Sequence, residues 1–302
     1  MSNQKFPNKF NSLTELITLW LKEEIDTWDA SCRLDRACSY ALDSPGKRFR
    51  PVLTLASAEL LGIDYDGVKN LAVAFECVHT FSLVHDDLPS MDDDELRRGK
   101  PSTHIEFDEA TALLAGDALL ARAFLLLSRV KGITAENYAS LLQLVSDATL
   151  RLCRGQSMDL LAAGDHQSGA QRASTLAELE HRHLNKTGAL IVAALCAPLY
   201  FGPDKPEAKH LVSLRNYGEN LGLLFQITDD ILDATETSER LGKPSGSDLK
   251  QGTPTYLSIY GLERSQSLAT ATAERAIKAL SDYGTSADFL RWITNMVQTR
   301  LR

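Results

Sequence analysis

Six of the ten residues from Asp86 to Glu95 are acidic: Asp86, Asp87, Asp92, Asp93, Asp94 and Glu95. They lie within "FSLVHDDLPSMDDDELRRGKPSTH", residues 81–104, directly after an apolar stretch from Leu71 to Val84. Like charges crowded at the end of a buried helix repel one another unless a cation lies among them. Hard carboxylate oxygens with no cysteine nearby point to Mg2+ rather than zinc. Mg2+ takes one or two protein carboxylates and leaves its other positions to water and substrate phosphate. The segment therefore implies a phosphorylated ligand. Asp86 and Asp92 are six positions apart, ~240° around an ideal helix, so they would not share a face. Pro89 between them interrupts regular helical hydrogen bonding. The expectation is a local kink that turns Asp92 back toward Asp86.

A second cluster reads "QITDDILD", residues 226–233. Asp229 and Asp233 are spaced i and i+4, which puts them on one helical face, and Asp230 is rotated about 100° away. Apolar residues from Leu221 to Phe225 precede the group. Two such clusters facing each other would hold several Mg2+ ions around one polyanion. A polyanion also needs protein cations. "PGKRFRP" supplies Lys47, Arg48 and Arg50, and "LRRGKPSTH" supplies Arg97, Arg98 and His104. "NKTG" supplies Lys186 and Thr187, and "LGKPSG" supplies Lys243. Arginine pairs with phosphate in a planar, bidentate way, while lysine acts as a point charge.

These groups need a scaffold, and the sequence reads as an all-α one. The apolar period is close to 3.6 almost throughout, as in Leu13, Leu16, Ile17 and Trp20, or Leu141, Leu144, Val145 and Ala148. Val212, Leu214, Leu221 and Leu224 lie in another helical stretch, and no segment alternates like a strand. Glycine and proline breakers divide the chain into roughly ten helices. No linker is long or polar enough to split it, so a single domain over residues 1–302 is expected. The 302 residues are 44% apolar and carry a net charge of −8, which excludes a disordered chain and a general nucleic-acid binder. The run Gly188–Gly202 is interrupted by Pro198 and is too short for a membrane span, which takes about 20 residues. No apolar signal core opens the chain, and no stable membrane anchor is expected. Five cysteines without a CxxC pair suit reduced thiols packed as small apolar groups in a cytoplasm. "HRH" at 181–183 reads as exposed polar surface.

The two clusters, "DDLPSMD" and "DDILD", resemble the first and second aspartate-rich motifs of the trans-isoprenyl diphosphate synthases. "GKRFRP", "RRGKPSTH", "GQSMD", "KTG" and "QITDD" match in the same order, so the likeness runs from about residue 30 to 265. The first motif, with its two extra residues, is similar to that of the bacterial farnesyl diphosphate synthases. The resemblance implies an all-α bundle around a central cavity, cytoplasmic and homodimeric, with apolar helices such as 107–130 at the subunit interface. It implies condensation of isopentenyl diphosphate with dimethylallyl or geranyl diphosphate to farnesyl diphosphate, with about three Mg2+ ions per site. It places Asp86 and Asp92 on two ions and Asp229, supported by Asp233, on a third, with Asp87 and Asp230 as outer members. It places Arg97, Lys186 and Lys243 on the allylic diphosphate, and Lys47, Arg50, His79 and Arg98 on isopentenyl diphosphate. Thr187 and Gln226 would line the developing allylic cation.

Phe81 lies five positions before Asp86, about 7.5 Å along a helix. In the resembling family an aromatic there is the floor that stops growth at fifteen carbons, and the small Ser82 beside it leaves room for a ten-carbon starter. Two departures stand out. In "GSDLKQGTPT" Thr253 replaces the usual lysine, with Lys250 nearby, and Pro45 replaces a frequent glycine. Weaker allylic binding is expected from the first. The competing readings are a geranyl or geranylgeranyl diphosphate synthase, a silent subunit of a prenyl synthase heteromer, and an HD-type phosphohydrolase built on His85-Asp86. A silent subunit has no need of intact aspartate clusters, and an HD site needs further histidine ligands. A terpene cyclase would carry a different second motif.

Overall fold

The computed structural model describes residues 4–167, 175–202, 204–235 and 254–300; Lys243, Lys250 and Thr253 lie outside them. Its elements are almost all helical, as the 3.6 period requires. The chain forms two compact units, Met1–Leu142 with Ala197–Lys205, and Gln143–Cys196 with Pro206–Arg302.

In the first unit, α1 (Lys5–Ile25), α2 (Arg33–Leu42) and α3 (Phe49–Leu60) surround α4 (Tyr65–Asp86) together with α6 (Glu109–Ser128). Asp64 caps α4 by accepting a hydrogen bond from the Asp66 N–H, which satisfies one of the helix's open amides. Residues on every side of α4 are buried, among them Leu71, Phe75, Val78 and Phe81. A helix wrapped on all sides needs no polar face. After α4 a two-strand ribbon, β1 (Leu96–Arg97) and β2 (Lys100–Pro101), leads through the single turn α5 (Thr103–Glu106) into α6. Sequence periodicity gives no sign of this ribbon. It turns on Arg98 and Gly99, both at positive φ, the backbone of a tight two-residue hairpin.

Helix α6 is, among the described residues, the one helix long and apolar enough to cross a membrane by length and composition. Its Ala112, Ala115, Gly116, Leu119, Ala123, Leu126 and Leu127 are buried against the protein. Its Arg122 pairs with Asp35 at 2.6 Å and lies over the Trp28 ring. Leu113, Leu114, Phe124 and Leu125 remain exposed.

In the second unit, the body of α7 (Ala135–Gln167) is followed by α8 (Leu176–His183), a π turn (Leu184–Gly188) and α9 (Ala189–Cys196). The long α10 (Ala208–Thr235) packs on α11 (Tyr256–Ala279), and α12 (Asp288–Thr299) closes the unit. Capping boxes at Thr175/Glu178 and Thr255/Ser258 start α8 and α11. Leu214, Leu221 and Leu224 form the buried stripe of α10, while Val212 is exposed. Arg182 and His183 are buried, contrary to the surface reading of "HRH". Arg182 is taken inward by Asp159, 2.9 Å away, and His183 stacks on Tyr256. No disulfide joins the five cysteines; Cys38, Cys77 and Cys196 are buried as small apolar groups, and Cys153 is exposed.

Candidate active site

The first cluster begins where α4 stops. The Leu88 N–H returns to the His85 carbonyl at 3.2 Å and the Met91 N–H to the Leu88 carbonyl at 2.8 Å. The Asp92 N–H then donates to the carbonyl of Asp86 at 2.9 Å. This bond across Pro89 is the expected kink, and it brings the backbones of Asp86 and Asp92 together. Asp93, at φ 53°, closes the turn. Asp86 and Asp92 are half-buried. Asp87, expected as an outer member of the cluster, is buried: its residue is 2% exposed. The Nε of Arg97 donates to both its oxygens, at 2.9 and 3.2 Å, and Arg97 Nη2 also reaches Asp94 at 3.1 Å. The ribbon supplies this contact by folding Arg97 back onto the turn.

Behind the turn lies a cluster of guanidiniums. Arg48 is buried at the start of α3 with φ 47°. Its Nη1 donates to Glu76 Oε1 at 2.9 Å and its Nη2 to the Ser44 carbonyl at 2.9 Å. Burial, only partly offset by Glu76, pushes Arg50 down to about 10. Burial and then Arg50, Arg98, Arg97 and Arg48 hold His79 well below the ordinary imidazole range, so it is neutral at pH 7. Arg48, Arg50 and Arg98 thus all face the buried carboxylate of Glu76, and Arg98 also faces Asp87. The buried Arg50 Nε has no hydrogen-bond partner among the described residues. An excess of cations with an unsatisfied donor is an anion site. Lys47, on the same loop, is exposed.

The second unit presents Lys186 and Thr187 on the π turn. A Cβ on Gly155 of α7 would stand 2.2 Å from the Lys186 nitrogen. A Cβ on Gly222 of α10 would stand 2.7 Å from the Gly188 Cα. Glycine at both positions lets the two helices clamp the turn, and a widened turn of this kind re-aims its side chains. Lys186 Nζ donates to Asp159 Oδ2 at 2.5 Å. Burial draws Asp159 upward, but Lys186 and then Arg182 more than offset it and hold the carboxyl below its usual range. Thr187 Oγ1 donates to Gln226 Oε1 at 2.6 Å, so the two residues expected along the allylic cation are in contact. On α10, Asp229 Oδ1 lies 2.9 Å from Arg300 Nη1. Asp230 turns away to accept the Tyr256 N–H at 2.8 Å, and Asp233 is buried.

Among the described residues no three His, Cys, Asp or Glu side chains converge on one point, as a closed transition-metal cage would need. The donor set is carboxylate alone, with Asp86 and Asp92 drawn together by the turn. That fits Mg2+, which needs one or two such groups and fills its shell with water and phosphate.

Sequence reasoning left out Glu76, Asp159 and Arg300. A lone glutamate inside the apolar run of α4 was a readable signal for the first, and "GQSMD" contains the second. Nothing in the sequence marks Arg300.

The fold and these groups define an all-α enzyme built to handle diphosphates. The polyprenyl synthetase family profile matches residues 31–291. The chain belongs to this family. It is 42% identical over 246 residues to the farnesyl diphosphate synthase of Haemophilus influenzae, covering 81% of each chain. It is 40% identical over 265 residues to the geranylgeranyl diphosphate synthase of Cyanophora paradoxa, covering 86% of this chain and 85% of the other. Among solved structures, the geranyltransferase of Helicobacter pylori complexed with magnesium and isoprenyl diphosphate superposes with a TM-score of 0.84 at 28% identity. That match covers 100% of this chain and 99% of the other.

Proposed function

We propose that this chain condenses isopentenyl diphosphate with dimethylallyl diphosphate and then with geranyl diphosphate, and releases farnesyl diphosphate. The single observation that carries the reading is the Asp92 N–H bond to the Asp86 carbonyl, which brings the backbones of two aspartates together at the end of a buried helix. Asp86 and Asp92 hold Mg2+, and Asp229 with Asp233 holds a further ion. When bound, Mg2+ neutralises the diphosphate as it leaves.

The protein's own groups do the rest. Arg97 and Lys186 take the allylic diphosphate, each released from its carboxylate partner as the anion arrives. Lys243, which lies outside the described residues, joins them. The allylic C–O bond breaks and its electron pair leaves with the diphosphate. The Thr187 and Gln226 oxygens face the carbon cation with partial negative charge. Lys47, Arg50, His79 and Arg98 hold isopentenyl diphosphate, whose double bond supplies the electron pair for the new C–C bond. The departed diphosphate takes the proton lost from the condensed product, so no side chain need act as base. Phe81, 5% exposed on the α4 face, is the floor of the chain path, with Ser82 beside it.

We further infer one catalytic domain over residues 1–302, a cytoplasmic location and a homodimer. The exposed Leu113, Leu114, Phe124 and Leu125 of α6 support the dimer, because an apolar face of this kind marks an interface. The test incubates the protein with Mg2+, labelled isopentenyl diphosphate and five-, ten- or fifteen-carbon starters. A fifteen-carbon product from the first two, with the third refused, is expected. A twenty-carbon product assigns a geranylgeranyl diphosphate synthase instead. No condensation points to a silent subunit.

A further inference from the structure

The floor residue does not stand alone. Helices α4 and α6 pack closely along buried small residues of α6, Ala112, Ala115 and Gly116. His85 of α4 fills the notch at Gly116. A Cβ on Gly116 would stand 2.1 Å from His85 Nε2 and 2.3 Å from its Cδ2, so the imidazole occupies the space of any side chain there. The same Nε2 lies 2.9 Å from the Leu113 carbonyl oxygen. A carbonyl only accepts, so this nitrogen carries the proton and donates. The ring is fixed in place and orientation by α6. One turn back on α4, Phe81 meets the His85 ring edge to face, with centroids 5.8 Å apart and planes at 89°. Helix α6 therefore holds His85, and His85 holds Phe81.

We propose that His85 is a specificity-determining positioning residue: seated in the Gly116 notch and bonded to the Leu113 carbonyl, it keeps the Phe81 ring across the path of the growing chain. The inference rests on the farnesyl reading above and adds the element that sets the floor. Without the edge-to-face contact the Phe81 ring gains alternative rotamers, and an aromatic pair of this kind biases such a population by up to about tenfold. Chain growth is decided by the relative rates of release and a further condensation. A floor that opens part of the time shows as a longer product rather than a slower enzyme.

The test compares the wild type with His85→Gln, Gly116→Ala and Phe81→Ala. Each is given labelled isopentenyl diphosphate and geranyl diphosphate, and the C20:C15 ratio is read by mass. Gln at 85 keeps an amide donor near Leu113 but removes the ring. Ala at 116 keeps the ring but expels it from the notch. Both should raise the ratio by up to about tenfold, in the direction of Phe81→Ala and less far. A purely structural role would lower the melting temperature and leave the ratio unchanged. If Phe81→Ala lengthens the product while His85→Gln and Gly116→Ala keep the wild-type ratio, the inference is overturned. Should one of these two fail to fold, the other decides. A wild type that runs past fifteen carbons, or a Phe81→Ala enzyme with an unchanged product, sinks the floor reading itself.

Discussion

Glu76 accepts a 2.9 Å hydrogen bond from Arg48 through side chains only 1% and 3% exposed. The pair pins the loop that carries Lys47 and the first turn of α3 that carries Arg50, and it holds Arg48 at φ 47°, a backbone state that non-glycine residues rarely adopt. Breaking such a pair leaves an uncompensated buried charge, which costs about 3–5 kcal/mol. Glu76→Leu should therefore lose stability on that scale in urea denaturation. The double variant Glu76→Leu/Arg48→Met should recover part of it, because replacing a buried pair with apolar groups is often neutral, while Arg50 still lacks the Glu76 charge that offsets its burial. A double variant no more stable than Glu76→Leu would show that the pair is not an isolated energetic unit.

His183 is buried against Tyr256, with ring centroids 5.5 Å apart, and burial pushes its pKa down to about 3. The unfolded chain has the ordinary value of about 6.5, so between these two values the unfolded state binds more protons than the folded one. The stability contribution is fully present above the unfolded pKa and is lost as pH falls below it toward the folded one. Between pH 7 and pH 5 that amounts to about 2 kcal/mol. His183→Phe keeps a ring for the stack and removes the titration, so its stability should fall less over the same interval. Parallel pH profiles for the two proteins would contradict this.

Gly155 lets α7 touch the backbone of the π turn, since its Cβ would stand 2.2 Å from the Lys186 nitrogen. Backbone cannot swing aside as a flexible side chain can. Gly155→Ala should cost about 1–3 kcal/mol and should raise the KM for geranyl diphosphate, because Lys186 is displaced. The KM for isopentenyl diphosphate, read in the same assay, should change much less. An equal rise in both would detach Lys186 from the allylic diphosphate.

Local chemistry was legible where partners are close in sequence. Pro89 between two aspartates announces a break, and the Asp92–Asp86 bond is that break. The 3.6 period fixes an all-α fold, and the apolar stretch from Leu71 to Val84 marks α4. What escaped depends on distant partners. Three polar residues at 181–183 look like surface until Asp159 and Tyr256 arrive from other helices to enclose Arg182 and His183. Asp87 reads only as an outer member beside Asp86, and its burial is not evident until the ribbon folds Arg97 onto it. That ribbon is two residues per strand, too short to show an alternating pattern.

Arg300 Nη1 lies 2.9 Å from Asp229 Oδ1, with the guanidinium 5.4 Å from the Phe225 ring. In the proposed reaction Asp229 holds Mg2+, so a fixed guanidinium on the same oxygen competes with the metal. The two side chains are 30% and 38% exposed, and ion pairs of that kind are worth up to about 1 kcal/mol, or up to about fivefold in a binding constant. Arg300→Ala should therefore tighten Mg2+ binding by up to about that factor. Calorimetric titration of Mg2+ into the protein with inorganic diphosphate reads the change without relying on turnover. Arg300→Lys keeps the charge on a flexible stem and should fall between the two. An Arg300→Ala protein with weaker Mg2+ binding would mean that the arginine assists the metal site, by holding Asp229 in place, and does not compete for it.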